Sequence, residues 1–262
     1  MLELFPLLNH LIKLRGKLNL MEDKIKIGVS SCLLGEEVRW NGGHKKDRYV
    51  QGVLDNYFDY VPTCPEVDVG MGTPRETVAL YGVLEEHKMI SKKSQTDWTE
   101  KMNTYMKDRI STLGTSDLCG YIFKSKSPSC GIGRVPIYSK FGSNKVRHGP
   151  GMFASAFMKT LPLIPVEDEG RLHDPVIREN FIVRVFCFNR LQILLRESFS
   201  MGKLVSFHTK HKSFDPDKLH LKIIIESKKL RKMNKIAAHK EIFSILKKEM
   251  KNKIHALEIE IK

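Results

Sequence analysis

The chain has 262 residues, a formal charge of +14 and 41% apolar side chains, enough material for one large domain or two ordinary ones with a packed core. No apolar run approaches the about 18 residues that a membrane-spanning helix needs, so no membrane partner is expected. Five cysteines, odd in number and far apart, exclude a disulfide framework and suit metal ligation better.

Residues 1–23 put Leu2, Phe5, Leu8, Leu11, Ile12 and Leu14 ahead of or among Lys13, Arg15 and Lys17. A secretory signal has the reverse order, with basic residues first and a small-residue cleavage site last. The segment therefore reads as an amphipathic extension, and the protein as cytoplasmic. Residues 25–29 turn aliphatic, as a first strand entering a sheet core does, and Ser30, Ser31 and Cys32 follow before a turn at Gly35. Asn41-Gly42 in the run Arg39-Trp40-Asn41-Gly42-Gly43 is a turn signal. Tyr49, Val50, Val53, Leu54 and Tyr57 have helical spacing, so a helix is expected over 48–57 and a second strand over 58–61. Strand, helix and strand in about 35 residues make a βαβ unit.

Residues 64–76 contain two prolines and two glycines, which exclude regular structure over most of the run. A loop this rich in Arg, Glu and Asp beside a buried strand is a place where function concentrates. A strand is expected over 78–84. Trp98, Met102, Tyr105, Met106, Ile110 and Leu113 share one face of a helix over 97–113, a stripe that reads as core packing. Tyr121-Ile122-Phe123 is a third strand leading to Cys130, and Cys119, at its start, falls outside any site at its far end. A helix over 149–160, a last strand over 161–166 and the acidic turn Glu167-Asp168-Glu169-Gly170 complete an α/β domain, mostly parallel with flanking helices, over 24–170.

From Arg171 onward the chain carries 21 Lys and Arg against 10 Asp and Glu. Asp174 and Pro175 form a helix start, followed by a helical stripe of Phe181, Ile182, Val185, Phe186, Leu191, Leu194 and Leu195. Further helices are expected over 201–211, 219–230 and 239–254, which makes 171–262 a smaller, basic, all-α domain. Its charge is that of solvated Lys-rich helices or of a nucleic-acid partner. His208 and His211 stand three apart at a spacing that can ligate metal, and Cys187 reads as a core thiol.

Cys32, Cys64 and Cys130 each follow a strand. If those strands are parallel neighbours, the three thiols share the carboxyl edge of one sheet, where open α/β sheets bind ligands. Three thiolates hold zinc or an iron–sulfur cluster. The spacings of 32 and 66 residues contain no close Cys pair of the kind structural zinc favours, so a larger cofactor that takes one ligand per loop fits better; buried structural thiols are the alternative. Glu66 and Ser129, each within two residues of a cysteine, are candidates for proton transfer or for hydrogen bonds to cluster sulfur. Arg39 and Arg75 are candidates for holding an anionic substrate, with a local salt bridge the alternative for Arg75.

The ordered runs Ser31-Cys32-Leu33-Leu34-Gly35, Val38-Arg39-Trp40-Asn41-Gly42-Gly43, Cys64-Pro65-Glu66-Val67, Thr73-Pro74-Arg75 and Lys126-Ser127-Pro128-Ser129-Cys130-Gly131 resemble domain-of-unknown-function family 523, which includes thiouracil desulfidases. The resemblance implies a [4Fe-4S] cluster on Cys32, Cys64 and Cys130, whose open iron takes sulfur from a thiolated pyrimidine or similar small thio-compound. On that reading Glu66 and Ser129 are catalytic, and Arg39, Asn41, Arg75 and Ser127 bind substrate. Trp40 departs from the family pattern, which has Tyr there. The segment from His173, with Arg178-Glu179-Asn180-Phe181 and Val205-Ser206-Phe207-His208-Thr209-Lys210-His211-Lys212, resembles family 1722 in a short, divergent form. The competing functions are a nucleic-acid-binding or regulatory protein with a redox-sensing or structural metal site, and a sulfur carrier.

Overall fold

The computed structural model describes residues 24–83, 86–140, 146–198, 203–209, 219–245 and 254–261; the expected extension over 1–23 lies outside them. The chain divides into two compact units, Met1–Val185 and Phe186–Lys262.

The first unit is built on a four-stranded sheet in the order β2-β1-β5-β8, formed by β1 (Ile25–Ser30), β2 (Phe58–Thr63), β5 (Tyr121–Phe123) and β8 (Val166–Asp168). Every pairing in it is parallel, and parallel strands are covered on both faces, which is why β5 is buried at all three residues. The chain between β1 and β2 is helical but irregular: a π-turn over Tyr49–Val53 and a 3₁₀ turn over Leu54–Asn56 replace the expected regular helix. Gly52, a poor helix former, sits inside that segment. Asp47 opens it by accepting the Tyr49 and Val50 N–H groups, both at 2.9 Å.

One face of β5 supports the core. Tyr121 and Phe123, two residues apart and therefore on the same side, stack with centroids 3.9 Å apart. Phe157 of the helix α3 (Met152–Thr160) meets them edge-on at 4.9 and 5.5 Å. The helix α2 (Thr99–Thr115), which packs against α3, buries Met102, Met106, Ile110 and Leu113, four members of the expected stripe.

A second, mixed sheet in the order β4-β3-β6-β7 is the main element missing from the sequence reading: β3 (Val78–Gly82), β4 (His87–Ser91), β6 (Val135–Tyr138) and β7 (Val146–Gly149). Of these only β3 was expected. The others are four or five residues long, and Pro136 and the polar His87-Lys88 and Arg147-His148 pairs obscure their alternation. The last strand of the parallel sheet also falls later than expected. Pro165 presents its carbonyl to the Tyr121 N–H at 2.9 Å, and the strand proper runs through Glu167, which is buried and paired with Arg171.

Helix α4 (Pro175–Ser198) starts where Asp174 and Pro175 indicate, with Asp174 Oδ1 accepting the Val176 and Ile177 N–H groups. Beyond it the all-α expectation is corrected. Alongside α5 (Lys228–Arg231) and α6 (Lys235–Ile245) stands a three-stranded sheet in the order β11-β10-β9, made of β9 (Lys203–Thr209), β10 (Leu219–Glu226) and β11 (Ile254–Ile261). β10 pairs antiparallel with β9 and parallel with β11. Pairing between distant segments overrides local helical spacing there. His208 consequently lies on a strand, and His211 is outside the described residues.

Phe157 is fully buried, so Phe157→Ala should cost about 3–5 kcal/mol. Urea unfolding of the full chain should show the lower midpoint.

Candidate metal centre

Ser30 pairs with Thr63 and Val29 with Ile122, so β1, β2 and β5 end level with one another at their carboxyl edge. Cys32 follows β1 on one 3₁₀ turn, Ser31–Leu34, which Gly35 closes in the left-handed region at φ 94°. Cys64 follows β2 and precedes the short helix α1 (Pro65–Asp68). Cys130 lies in the loop after β5. All three line one cavity of about 440 Å³, together with Arg39, Trp40, Glu66, Arg75, Ser127 and Ser129. Cys119 is elsewhere: its N–H donates to Lys26 O near the start of β1. Cys187 sits on α4, and neither lines the cavity.

The Cys130 loop is fastened to the start of α3. The N–H groups of Gly151, Met152 and Ala154 donate to the carbonyls of Gly131, Pro128 and Ser129 at 2.7, 3.0 and 3.0 Å. A Cβ at Gly151 would lie 2.7 Å from Pro128 O and from Ser129 backbone atoms, so the helix approaches this closely only because the residue is glycine.

Glu66 joins the loops. Its Oε2 accepts from Arg75 Nη2 at 2.6 Å and Nε at 3.1 Å, while its Oε1 accepts from Ser129 Oγ at 2.7 Å and Ser127 Oγ at 3.3 Å. Arg75 Nη1 donates to Val38 O and Gly72 O at 2.9 and 3.0 Å. The guanidinium thus uses all three nitrogens within the protein, which is the salt-bridge alternative for this residue. Ser127 Oγ also accepts the Cys130 N–H at 3.2 Å. Asn41 is exposed in its turn, where its Oδ1 accepts the Gly43 N–H at 3.3 Å, and it does not line the cavity.

Burial pushes the Cys32 thiol up to about 12; nearby Cys64 adds to the rise, and Lys124 and Arg39 oppose it. Burial likewise raises Cys64 to about 11 against a hydrogen bond from the Val67 N–H. It raises Cys130 furthest, against hydrogen bonds from Ser30 and Ser129. Near neutral pH thiols in this state stay protonated unless a cation compensates the thiolate, which is the condition metal binding supplies. Among the described residues no three His, Cys, Asp or Glu side chains meet as a site for a metal ion.

Lys124 and Thr63 are among the cavity residues that the sequence reading did not propose for the site. Lys124 sits directly after β5, its N–H bonded to Ser30 Oγ at 2.9 Å and its Nζ paired with Glu169. Thr63 ends β2, and its Oγ1 accepts from Arg109 Nη2 at 2.9 Å. Their position at strand ends, level with Ser30, is the signal that could have found them.

A parallel α/β sheet with three thiols over its carboxyl edge, and a carboxylate bonded to a hydroxyl beside them, defines a domain with a soft-ligand pocket. The family described as 2-thiouracil desulfurase matches residues 27–169, and the chain belongs to it. A family described as BolA-like protein matches 202–262, which replaces the family-1722 resemblance over that segment. YbbK of Bacillus subtilis (strain 168) is 36% identical over 135 residues, covering 48% of this chain and 85% of YbbK. The solved structure of the [4Fe-4S]-dependent thiouracil desulfidase TudS is 25% identical, with a TM-score of 0.48, covering 60% of this chain and 99% of that one. Among the described residues no helix is long and apolar enough to cross a membrane.

Arg75 and Glu66 have side chains only 6% and 12% exposed. Arg75→Met leaves the carboxylate buried without its cation and should cost about 3–5 kcal/mol, read as a fall in the urea midpoint. In cofactor-free protein, alkylation of Cys64 by iodoacetamide should keep rising nearly tenfold per pH unit from about pH 8 to about pH 10, because only thiolate reacts and burial holds its pKa near 11. A rate that levels off by about pH 10 would mark an ordinary thiol.

Proposed function

We propose that the first unit is an iron–sulfur-dependent desulfidase that removes sulfur from a thiolated pyrimidine or a similar small thio-compound. The observation that carries this reading is that Cys32, Cys64 and Cys130, from three separate segments, line one cavity that Glu66 and Ser129 also line.

The donor set fits the cofactor. It consists of three sulfurs and no histidine, one sulfur from each loop, around a space of about 440 Å³, and thiolate ligands are those that iron–sulfur clusters take. When bound, a [4Fe-4S] cluster with three protein thiolates supplies one iron that has no protein ligand and can accept sulfur. The net reaction exchanges C=S and water for C=O and hydrogen sulfide, without net oxidation. The chain's part is to place the ring and manage protons. Ser129 Oγ, donating to Glu66 Oε1, and Glu66, anchored by Arg75, form a hydroxyl–carboxylate pair that can take a proton from water and return one to the departing sulfur. Arg39 opens onto the same cavity and supplies positive charge for an anionic substrate or for sulfur leaving as an anion. Ser127 supports the pair through hydrogen bonds to the same Glu66 Oε1 and to Ser129 Oγ, and Arg75 acts through Glu66 rather than on the substrate.

Anaerobically reconstituted protein should release sulfide from 2-thiouracil. Replacing Cys32, Cys64 or Cys130 by Ser should remove most of the brown chromophore and more than about 90% of turnover, since each is a ligand. Cys119→Ser and Cys187→Ser should keep both. Iron and sulfide content, measured with turnover, separates a lost cofactor from a lost reaction.

A further inference from the structure

Of the two aromatic residues that line the cavity, Tyr138 is half-buried, with its ring centroid 5.7 Å from that of Tyr81, and Trp40 is the exposed one. It lines the thiol cavity while 46% exposed. Single exposed apolar residues are ordinary on a surface, but this one is held in place. Arg39 N donates to Gly43 O at 3.1 Å and Gly42 N to Arg39 O at 2.9 Å, closing the turn that carries it. Arg75 N donates to Trp40 O at 2.7 Å. Gly42 completes the turn at φ 75°, in the left-handed region that side chains avoid.

The turn is also tied to the cysteines. Val38, two residues before Trp40, offers its carbonyl to Cys64 Sγ at 3.7 Å and to Arg75 Nη1 at 2.9 Å. Two residues span at most about 7 Å of chain, so the Trp40 backbone is tethered close to Cys64, on whose cavity its side chain also lies. Trp98, the other tryptophan, contrasts with it: its indole N–H donates to Ser91 Oγ at 3.0 Å and Lys101 covers its ring at 4.9 Å.

We infer that Trp40 is a specificity-determining residue, whose indole is the platform on which a planar, aromatic pyrimidine ring stacks in the thiol cavity. The inference rests on the desulfidase reading for the site and adds the ring class that the site selects. Base–aromatic stacking depends on a flat π-face at both partners, so the preference for an aromatic ring over its saturated counterpart is the property that this residue controls.

The test uses the reconstituted full chain and two probes that carry no exocyclic sulfur, uracil and 5,6-dihydrouracil, titrated calorimetrically. Wild type should bind uracil about tenfold or more tighter than dihydrouracil. Trp40→Leu should reduce that preference to within about twofold, and Trp40→Tyr should retain most of it, with iron and sulfide content unchanged in both. With 2-thiouracil, Trp40→Leu should raise KM by a similar factor and leave kcat within about threefold, as expected when ground state and transition state lose the same contact. An unchanged ring preference in Trp40→Leu, or loss of iron from that variant, overturns the inference and leaves the desulfidase reading in place. A Trp40-dependent preference in protein that releases no sulfide from 2-thiouracil upholds the inference and removes that reading. Failure of wild type to bind uracil at all overturns the inference.

Discussion

The site depends on one buried ion pair. Glu66 and Arg75 together receive or donate hydrogen bonds from four places: Val38, Gly72, Ser127 and Ser129. Burying two charges costs several kcal/mol per ion, and a hydrophobic pair of the same size is often as stable. What the ion pair adds is direction. A guanidinium fork and a carboxylate accept only a few geometries, so the loops after β1, β2 and β5 are fixed relative to one another as well as to the sheet. The three thiols are then brought to one cavity without any bond between them.

The same network limits what each polar group can do. Arg75 has its nitrogens engaged within the protein, so the other positive charges on the cavity lining are Arg39, Lys45, Lys92, Lys124 and Lys126, of which Lys124 is paired with Glu169. Glu66 is anchored on Oε2 and meets the two serines through Oε1, which puts a carboxylate and a hydroxyl in direct exchange at the cavity wall. Burial meanwhile keeps the thiols protonated until a cation arrives. Near neutral pH the pocket therefore resists ionising without a metal.

The second unit is organised by pairing between distant segments. β10 carries Ile223, Ile224 and Ile225 in succession and pairs on both edges, while α6 packs Ala238 and Ile242 out of solvent. Its match to the BolA-like family covers the stretch that holds all three strands.

Much of the first unit was legible in the residues alone. The strands β1, β2 and β5 are short aliphatic or aromatic runs, α2 and α3 show their buried faces at helical spacing, and the cysteines follow strands in Gly- and Pro-rich settings, so a shared sheet edge could be expected. Chain order did not contain the rest. Sheet order 2-1-5-8 and the level ending of the strands come from pairing across long separations, and these set Lys124 and Thr63 beside the thiols. Strands β4, β6 and β7, and all three strands of the second unit, are stabilised by partners remote in sequence, which local periodicity does not register. Arg75 reads as a substrate ligand, with a salt bridge to a local carboxylate as the ordinary alternative. Only the fold placed Glu66 within 2.6 Å of it, because a charge buried in protein takes the nearest opposite charge that geometry allows.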